Sequence, residues 1–136
     1  MTNNQRIVSI VDDELDITRL FQDAISCYVN GTAVVSFTNP LTALEHFKDN
    51  KEAYVLVISD LRMPELNGLE LLKKVKKLNP NVRTILTTAY EFDENNKIEE
   101  YMKNGIINLI LAKPVTINRL CEEVRNMIRI QESNIH

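Results

Sequence analysis

The chain has 136 residues, of which 44% are hydrophobic and 26% charged, and these proportions are typical of a soluble globular protein with one buried core. A formal net charge of −3 gives no indication of direct nucleic-acid binding. Apolar runs are far shorter than the roughly 20 residues of a membrane span, so we expect no membrane contact.

The N-terminal segment carries no secretory signal pattern, because its first apolar run is short and ends in acids. We therefore expect a cytoplasmic protein. Its two cysteines, Cys27 and Cys121, are too few for a disulfide framework. Both lie in helix-like stretches, where buried reduced thiols are expected.

Short apolar runs alternate along the chain with segments of helical periodicity. The runs predict strands at 7–11, 32–37, 54–59, 82–87 and 106–112. Helices are predicted after each strand: from about 17 to 28, from an N-cap at Asn39 through about 49, up to Leu78 before Pro80, over 93–104, and from Ile117 onward. A basic run at 73–77 is interpreted as the solvated face of the third helix.

Five strand–helix units in succession predict an α/β fold with a parallel sheet and helices on both of its faces. Continuous apolar strands suit a sheet that is buried on both faces. Right-handed crossovers favour the flavodoxin-like, doubly wound order 2-1-3-4-5. We expect residues 1–136 to form a single domain with a core of about 6–131.

Polar residues follow four of the five predicted strands. They are Asp12, Asp13 and Glu14 after the first strand, Asp60 after the third, Thr87 and Thr88 at the fourth, and Lys113 after the fifth; Ala89 and Pro114 directly follow the last two sets. Because ligands of parallel sheets bind beyond the carboxyl ends of the strands, we expect these residues to share one rim.

The chemistry of this rim suits phosphoryl transfer. Crowded carboxylates repel each other, and a hard cation such as Mg²⁺ relieves that repulsion. Asp60 could act as a carboxylate nucleophile, while Thr88 and Lys113 hold phosphoryl oxygens. Each residue also has a simpler interpretation, since Asp12 and Asp13 could cap the first helix and the others could be polar residues at strand ends.

Histidine is not available to this rim. His46 is predicted in the middle of a helix and His136 is the last residue. A histidine general base or a histidine metal site is therefore not expected.

The same segments resemble the response-regulator receiver domains of two-component signalling, from Ile7 to about Ile130. Four segments carry the resemblance: Val11-Asp12-Asp13-Glu14, the loop from Asp60 through Met63-Pro64 to Gly68, Thr88-Ala89, and Lys113-Pro114. The resemblance implies that Asp60 is the phosphoacceptor and that Thr88, Ala89 and Lys113 contact the phosphoryl group.

The resemblance also implies a metal ion, Mg²⁺ or Mn²⁺. Its ligands would be Asp13 and Asp60, with Asp12 acting through water and Arg62 through its backbone carbonyl. A cis peptide bond between Lys113 and Pro114 is implied as well.

The chain departs from the family pattern at the switch aromatic, three residues before the lysine, where it has Ile110. The stretch from Gly105 to Lys113 is also one residue longer than usual. Tyr90 is a candidate for the missing aromatic, and Arg62 and Tyr90 are candidates for shielding the acyl phosphate from water.

Partners implied by the resemblance are a histidine kinase or phosphotransfer protein, and a downstream protein or a second copy bound through the face of helix 4, strand 5 and helix 5.

We expect no enzymatic activity beyond the chain's own phosphorylation and dephosphorylation. An aspartyl phosphatase would need an acid where Arg62 lies, and a nucleotide-binding domain would need a glycine-rich turn after the first strand. A receiver that acts without phosphorylation, and the receiver portion of a longer regulator, remain alternatives.

Overall fold

The computed structural model describes residues 6–89 and 96–135. Five strands are present: β1 (Arg6–Val11), β2 (Thr32–Phe37), β3 (Tyr54–Asp60), β4 (Arg83–Thr88) and β5 (Leu109–Ala112). Five helices alternate with them: α1 (Leu15–Tyr28), α2 (Pro40–Asn50), α3 (Gly68–Leu78), α4 (Lys97–Lys103) and α5 (Ile117–Ile135). All neighbouring strands pair in parallel, in the order β2-β1-β3-β4-β5, which confirms the predicted fold class and strand order.

The central strand β3 is buried along its whole length, as the continuous apolar pattern predicted. One core lies between the sheet and helices α1 and α5, and it contains Ile58 and Val124. The other core lies beneath α2 and α3 and contains Val57 and Leu72. The side chains of alternate β3 residues therefore pack against the helices on both faces of the sheet. This packing fixes the position of the end of β3.

Asparagine side chains cap the starts of α2 and α3. The Asn39 side chain accepts hydrogen bonds from the backbone N–H groups of Leu41 and Thr42, and Pro40 opens α2 as predicted. Asn67 caps α3 by accepting from the N–H of Glu70 at 2.9 Å. This second cap fixes the start of α3 close to the end of β3.

Strand β5 begins three positions later than the sequence pattern predicted, at Leu109. The N–H groups of Ile106 and Ile107 both donate to the carbonyl of Tyr101, so these two apolar residues close the turn after α4. The predicted helix over 93–104 corresponds to α4, and its first positions, 93–95, lie outside the described residues.

Asn108 fixes the register of β5 against β4. Its Oδ1 accepts from the N–H of Thr84 at 2.9 Å, and its own N–H donates to the Thr84 hydroxyl oxygen at 3.1 Å. That hydroxyl donates in turn to the carbonyl of Ile106 at 2.6 Å. Residues 106–108 thus form a hydrogen-bonded turn that aligns β5 with β4.

Replacing Asn108 with alanine should lower the free energy of unfolding by about 2 kcal/mol, because the buried backbone N–H of Thr84 loses the side-chain oxygen to which it donates. Chemical denaturation would measure the loss. Asn118→Ala on the exposed side of α5 is the matched control and should change stability by less than about 0.5 kcal/mol. Equal effects of the two substitutions would contradict the role assigned to Asn108.

Several surface assignments differ from the sequence-based expectation. Cys121 is buried, as predicted, but Cys27 is exposed, because it lies on the side of α1 that faces away from the sheet. The apolar residues that recur at helical spacing in the sequence of the first helix include Leu20 and Tyr28, yet these two are 51% and 61% exposed. Thr18 and Ile25 lie on the buried face of α1 instead.

The basic run on α3 is only partly solvated. Lys73, Lys74 and Lys77 are exposed, as expected, whereas Lys76 is half-buried. Burial, followed by the nearby charge of Arg83, lowers the pKa of Lys76 to about 8.

Among the described residues, no helix is both long and apolar enough to span a bilayer.

Candidate functional site

The carboxyl ends of the parallel strands bring the predicted residues to one rim. Asp12 directly follows β1, Asp60 ends β3 and Thr88 ends β4. Lys113 directly follows β5, and its backbone N–H donates to the carbonyl of Thr88 at 2.9 Å. Thr88 is also paired with Ala112 across the β4–β5 ladder. Strand pairing alone therefore places the lysine beside the threonine.

Three carboxylates form a compact cluster at this rim. One oxygen from each of Asp12, Asp13 and Asp60 lies within 4.8 Å of the other two. Asp12 and Asp60 are only 2% and 8% exposed, whereas Asp13 is open to solvent. Two of the acids thus have little water around them, and the third provides the open side of the cluster.

Lys113 is the cation that faces this cluster. Its Nζ lies 3.0 Å from Oδ1 of Asp60 and 3.5 Å from Oδ2 of Asp12. Partial burial acts to lower the pKa of the ammonium, but the hydrogen bond to Asp60 and the charges of both acids outweigh it and raise that pKa. Lys113 therefore remains protonated at neutral pH and can bind an anion.

Asp12 has two contacts, and they resolve its competing interpretations. Its Oδ1 accepts from the N–H of Glu14 at 2.9 Å, a bond within the turn that precedes α1. Its Oδ2 faces Lys113. Burial is the largest influence on the Asp12 carboxyl and raises its pKa, and the Asp60 charge adds to that increase. The N-cap residue of α1 is Glu14, and no side chain caps that helix, so the structure contradicts the interpretation of Asp12 as a helix cap.

The donor set fits a small hard cation. Carboxylate oxygens are the ligands that Mg²⁺ prefers, and oxygens from three carboxyl groups meet here, two of them buried. Over residues 6–89 and 96–135, no other group of three acidic, histidine or cysteine side chains is close enough to bind a metal. His46 lies on α2, as predicted, with its Nδ1 2.7 Å from the Tyr54 hydroxyl, and His136 lies outside the described residues.

An open cleft adjoins the acids on their solvent side. It is lined by Asp13, Arg62, Met63, Pro64 and Asn67. The Arg62 side chain is exposed here, so it borders the approach to Asp60. Of the three acids, Asp13 is the one that this opening exposes to a small molecule.

Gly68 controls the close approach of α3 to Asp60, a role that the sequence did not reveal. A Cβ atom at this position would lie 2.2 Å from the backbone carbonyl oxygen of Asp60 and 2.9 Å from Cδ1 of Leu86. The N–H of Gly68 donates to the carbonyl of Leu61 at 2.8 Å. The helix therefore packs directly on the backbone of Asp60. The position of a glycine after Met63-Pro64 was the only sequence pattern that indicated this close contact.

The remaining predicted features have mixed outcomes. The Lys113–Pro114 peptide bond is cis, as predicted. Ala89 follows β4 at the rim and is exposed. Tyr90, the candidate aromatic, lies outside the described residues. Ile110 is half-buried, pairs with Leu86 across the sheet and packs on the core beneath α2 and α3.

Comparisons with known proteins agree with this geometry. Residues 8–125 match a family model described as the response regulator receiver domain. Sporulation initiation phosphotransferase F of Bacillus subtilis (strain 168) is 30% identical over 130 residues, which cover 96% of this chain and 98% of that protein. A crystal structure described as a response regulator receiver domain protein from Clostridium thermocellum superposes with a TM-score of 0.82 at 28% identity, covering 94% of this chain and 98% of that one.

Longer proteins match the chain over only part of their length. Transcriptional regulatory protein ZraR of Klebsiella oxytoca is 30% identical over 120 residues, which are 88% of this chain but 26% of that protein. The chain therefore spans about a quarter of this regulator and nearly the whole of the sporulation phosphotransferase.

Proposed function

Because this chain belongs to the response regulator receiver family of two-component signalling, we propose that Asp60 accepts a phosphoryl group and that the modified domain changes its binding to a partner. The observation that carries this proposal is the 3.0 Å ion pair between Oδ1 of Asp60 and Nζ of Lys113, within a cluster of three carboxylates. Residues 1–136 are proposed to act as one receiver domain.

The proposed reaction is an in-line transfer to a carboxylate. An oxygen of Asp60 attacks the phosphorus, and the bond from phosphorus to the donor breaks. With a phosphohistidine donor, the electron pair of the P–N bond returns to the imidazole nitrogen. The product is an acyl phosphate on Asp60, which water later hydrolyses to the carboxylate and inorganic phosphate.

The chain's own groups stabilise the transferred phosphoryl. The Lys113 ammonium can exchange its contact with the Asp60 carboxylate for a contact with a phosphoryl oxygen. The Thr88 hydroxyl, at the end of the neighbouring strand, can donate to a second oxygen. Asp12 and Asp13, the side chain of Asp60 and the carbonyl of Arg62 would hold the divalent cation, Mg²⁺ or Mn²⁺, which supplies positive charge to the phosphoryl oxygens when bound.

The enzymatic rivals lack support at this rim. Position 62, two residues after the nucleophile, holds an arginine, which cannot protonate a leaving group. Strand β1 is followed by Asp12 and Asp13, without the glycine-rich turn that dinucleotide phosphates need. We therefore propose that the chain catalyses only its own phosphorylation and dephosphorylation, and that exposed Arg62 helps to set how long the acyl phosphate lasts.

The proposed partners are of two kinds. A histidine kinase or a phosphotransfer protein would donate the phosphoryl group, and a cytoplasmic location follows from that partner class. A downstream protein, or a second copy of the chain, would bind the face of α4, β5 and α5, where Ile110, Pro114, Val115 and Arg119 line a groove. The similarity to a sporulation phosphotransferase supports a role within a relay.

Intact mass spectrometry with acetyl phosphate tests this proposal. In the presence of Mg²⁺, the protein should gain the mass of one phosphoryl group, and peptide mapping should place that group on Asp60. Chelation of divalent ions by EDTA should abolish the gain, because the carboxylates then repel the incoming phosphoryl group. No gain from acetyl phosphate or a phosphorylated kinase, in a folded protein with Mg²⁺, would instead favour a receiver that acts without phosphorylation.

A further inference from the structure

Strand β2 is one edge of the sheet, and its sequence carries none of the usual protection against pairing with another chain. Its six residues, Thr32–Phe37, include no charged residue and no proline, and all six are partly exposed. Charged residues, prolines and very short strands are the common means of protecting an edge. The strand at the opposite edge of the sheet, β5, is protected by its shortness, since it has only four residues.

The hydrogen-bonding direction along β2 follows from its register with β1. Val11 pairs with Phe37, and the N–H of Asp12 donates to the carbonyl of Phe37 at 3.1 Å. Phe37 therefore directs its backbone groups toward β1, and alternate residues do the same. The backbone groups of Thr32, Val34 and Ser36 point the other way, out from the edge of the sheet.

One side chain of α1 bonds to this outward edge. Nε2 of Gln22 donates to the carbonyl oxygen of Val34 at 3.0 Å. The hydroxyl of Ser36 donates to Oε1 of Gln22 at 2.6 Å. Gln22 thus occupies the acceptor at the middle of the edge and lies beside the next outward residue, where a neighbouring strand would have to pair.

We propose that the outward edge of β2 is a strand-pairing surface for a second copy of this chain, and that Gln22 keeps it closed. Antiparallel pairing about Val34 would place Val34 opposite Val34 of the second copy, and Thr32 opposite Ser36. The outward N–H groups of each copy would then face the outward carbonyl groups of the other copy. This is the self-complementary arrangement that two-fold symmetry requires. No charge on the strand opposes this approach.

Two substitutions of Gln22 separate its hydrogen bonds from its packing. Gln22→Ala removes the whole side chain, whereas Gln22→Met keeps its length and removes both hydrogen bonds. We expect both variants to dimerise about tenfold more tightly than the unmodified protein, because the Val34 carbonyl becomes available to the second copy. Sedimentation velocity across a concentration series would measure the dimerisation constant.

Controls on the same elements make this test specific. Asp23→Ala changes the exposed neighbour of Gln22 on α1 and should leave dimerisation unchanged. Adding Ser36→Pro to Gln22→Met should restore the monomer, because proline removes an outward N–H from the edge. In the dimer, hydrogen exchange should slow at the amides of Val34 and Ser36.

Two results would overturn the proposal. The first is a Gln22→Met variant that is folded by circular dichroism and remains as monomeric as the unmodified protein. The second is a dimer whose Val34 and Ser36 amides exchange as fast as in the monomer, since that dimer would use another surface. Phosphorylation at Asp60 is not needed for this test, so its outcome is independent of the proposed function.

Discussion

The Asp60→Asn variant should take up no phosphoryl group from acetyl phosphate or from a phosphorylated kinase. An amide oxygen is a far weaker nucleophile than a carboxylate, and the amide nitrogen does not react as a nucleophile with phosphorus at neutral pH. The substitution also removes one oxygen ligand from the carboxylate cluster. Both effects act on the same step, so the expected loss is complete within the detection limit of intact mass spectrometry.

The fold should survive this substitution. Asn has nearly the same shape as Asp, and Lys113 keeps Asp12 as a partner at 3.5 Å. Loss of the Asp60 ion pair is partly offset because the repulsion among the buried acids falls, so we expect a change of less than about 1 kcal/mol in the free energy of unfolding. Thermal denaturation followed by circular dichroism would measure it.

Asp16→Asn is the matched control, because it makes the same chemical change at an exposed position in the first turn of α1. It should accept a phosphoryl group as readily as the unmodified protein. Phosphorylation of Asp60→Asn to the same extent as this control would show that the acceptor is a different residue. Peptide mapping of that product would then identify it.

The Gly68→Ala variant should have the largest effect on stability among single-methyl additions near the site. The added Cβ would lie 2.2 Å from the carbonyl oxygen of Asp60, and that oxygen belongs to a rigid central strand. Either α3 moves away from β3 or the end of β3 bends. We expect a loss of about 3 kcal/mol in the free energy of unfolding, at the upper end of the cost of overpacking.

The same displacement should slow phosphoryl uptake, because it moves the backbone that carries Asp60. Gly105→Ala is the control, since Gly105 has a φ of 77° but no atom within 4 Å of the added Cβ. It should cost only the left-handed backbone strain, about 1 kcal/mol, and leave phosphorylation unchanged. Urea denaturation and the rate of phosphoryl uptake would be measured for both variants. Equal losses of stability would exclude the close contact as the cause.

Local sequence patterns predicted most of the candidate site. Asp12, Asp60, Thr88 and Lys113 each lie at the carboxyl end of a strand, and parallel strands bring those ends to one rim. Their order along the chain was therefore enough to predict that they meet. The assigned roles of these residues in phosphoryl transfer remain predictions that the Asp60→Asn experiment addresses.

Other features could not be predicted because they depend on contacts between residues distant in the sequence. Helical periodicity assigned Leu20 to the apolar stripe of α1, but which residues are buried depends on where α5 and the sheet lie. The apolar character of Ile106 and Ile107 indicated a strand, but bonds from their N–H groups to Tyr101 made a turn instead. Gln22 gave no signal at all, because its partners on β2 are in a separate element.

The sequence by itself determined the alternation of strands and helices, the strand order expected for such a chain and the residues at the strand ends, because periodicity and chain order are local properties. Only the tertiary structure decided the distances within the site, the packing of Gly68 on Asp60 and the side chain that covers the β2 edge. Asp12 and Lys113 are 101 positions apart, and their contact exists only because the two strands between β1 and β5, β3 and β4, align them. Such contacts depend on the register between strands, which hydrogen bonds across the sheet establish.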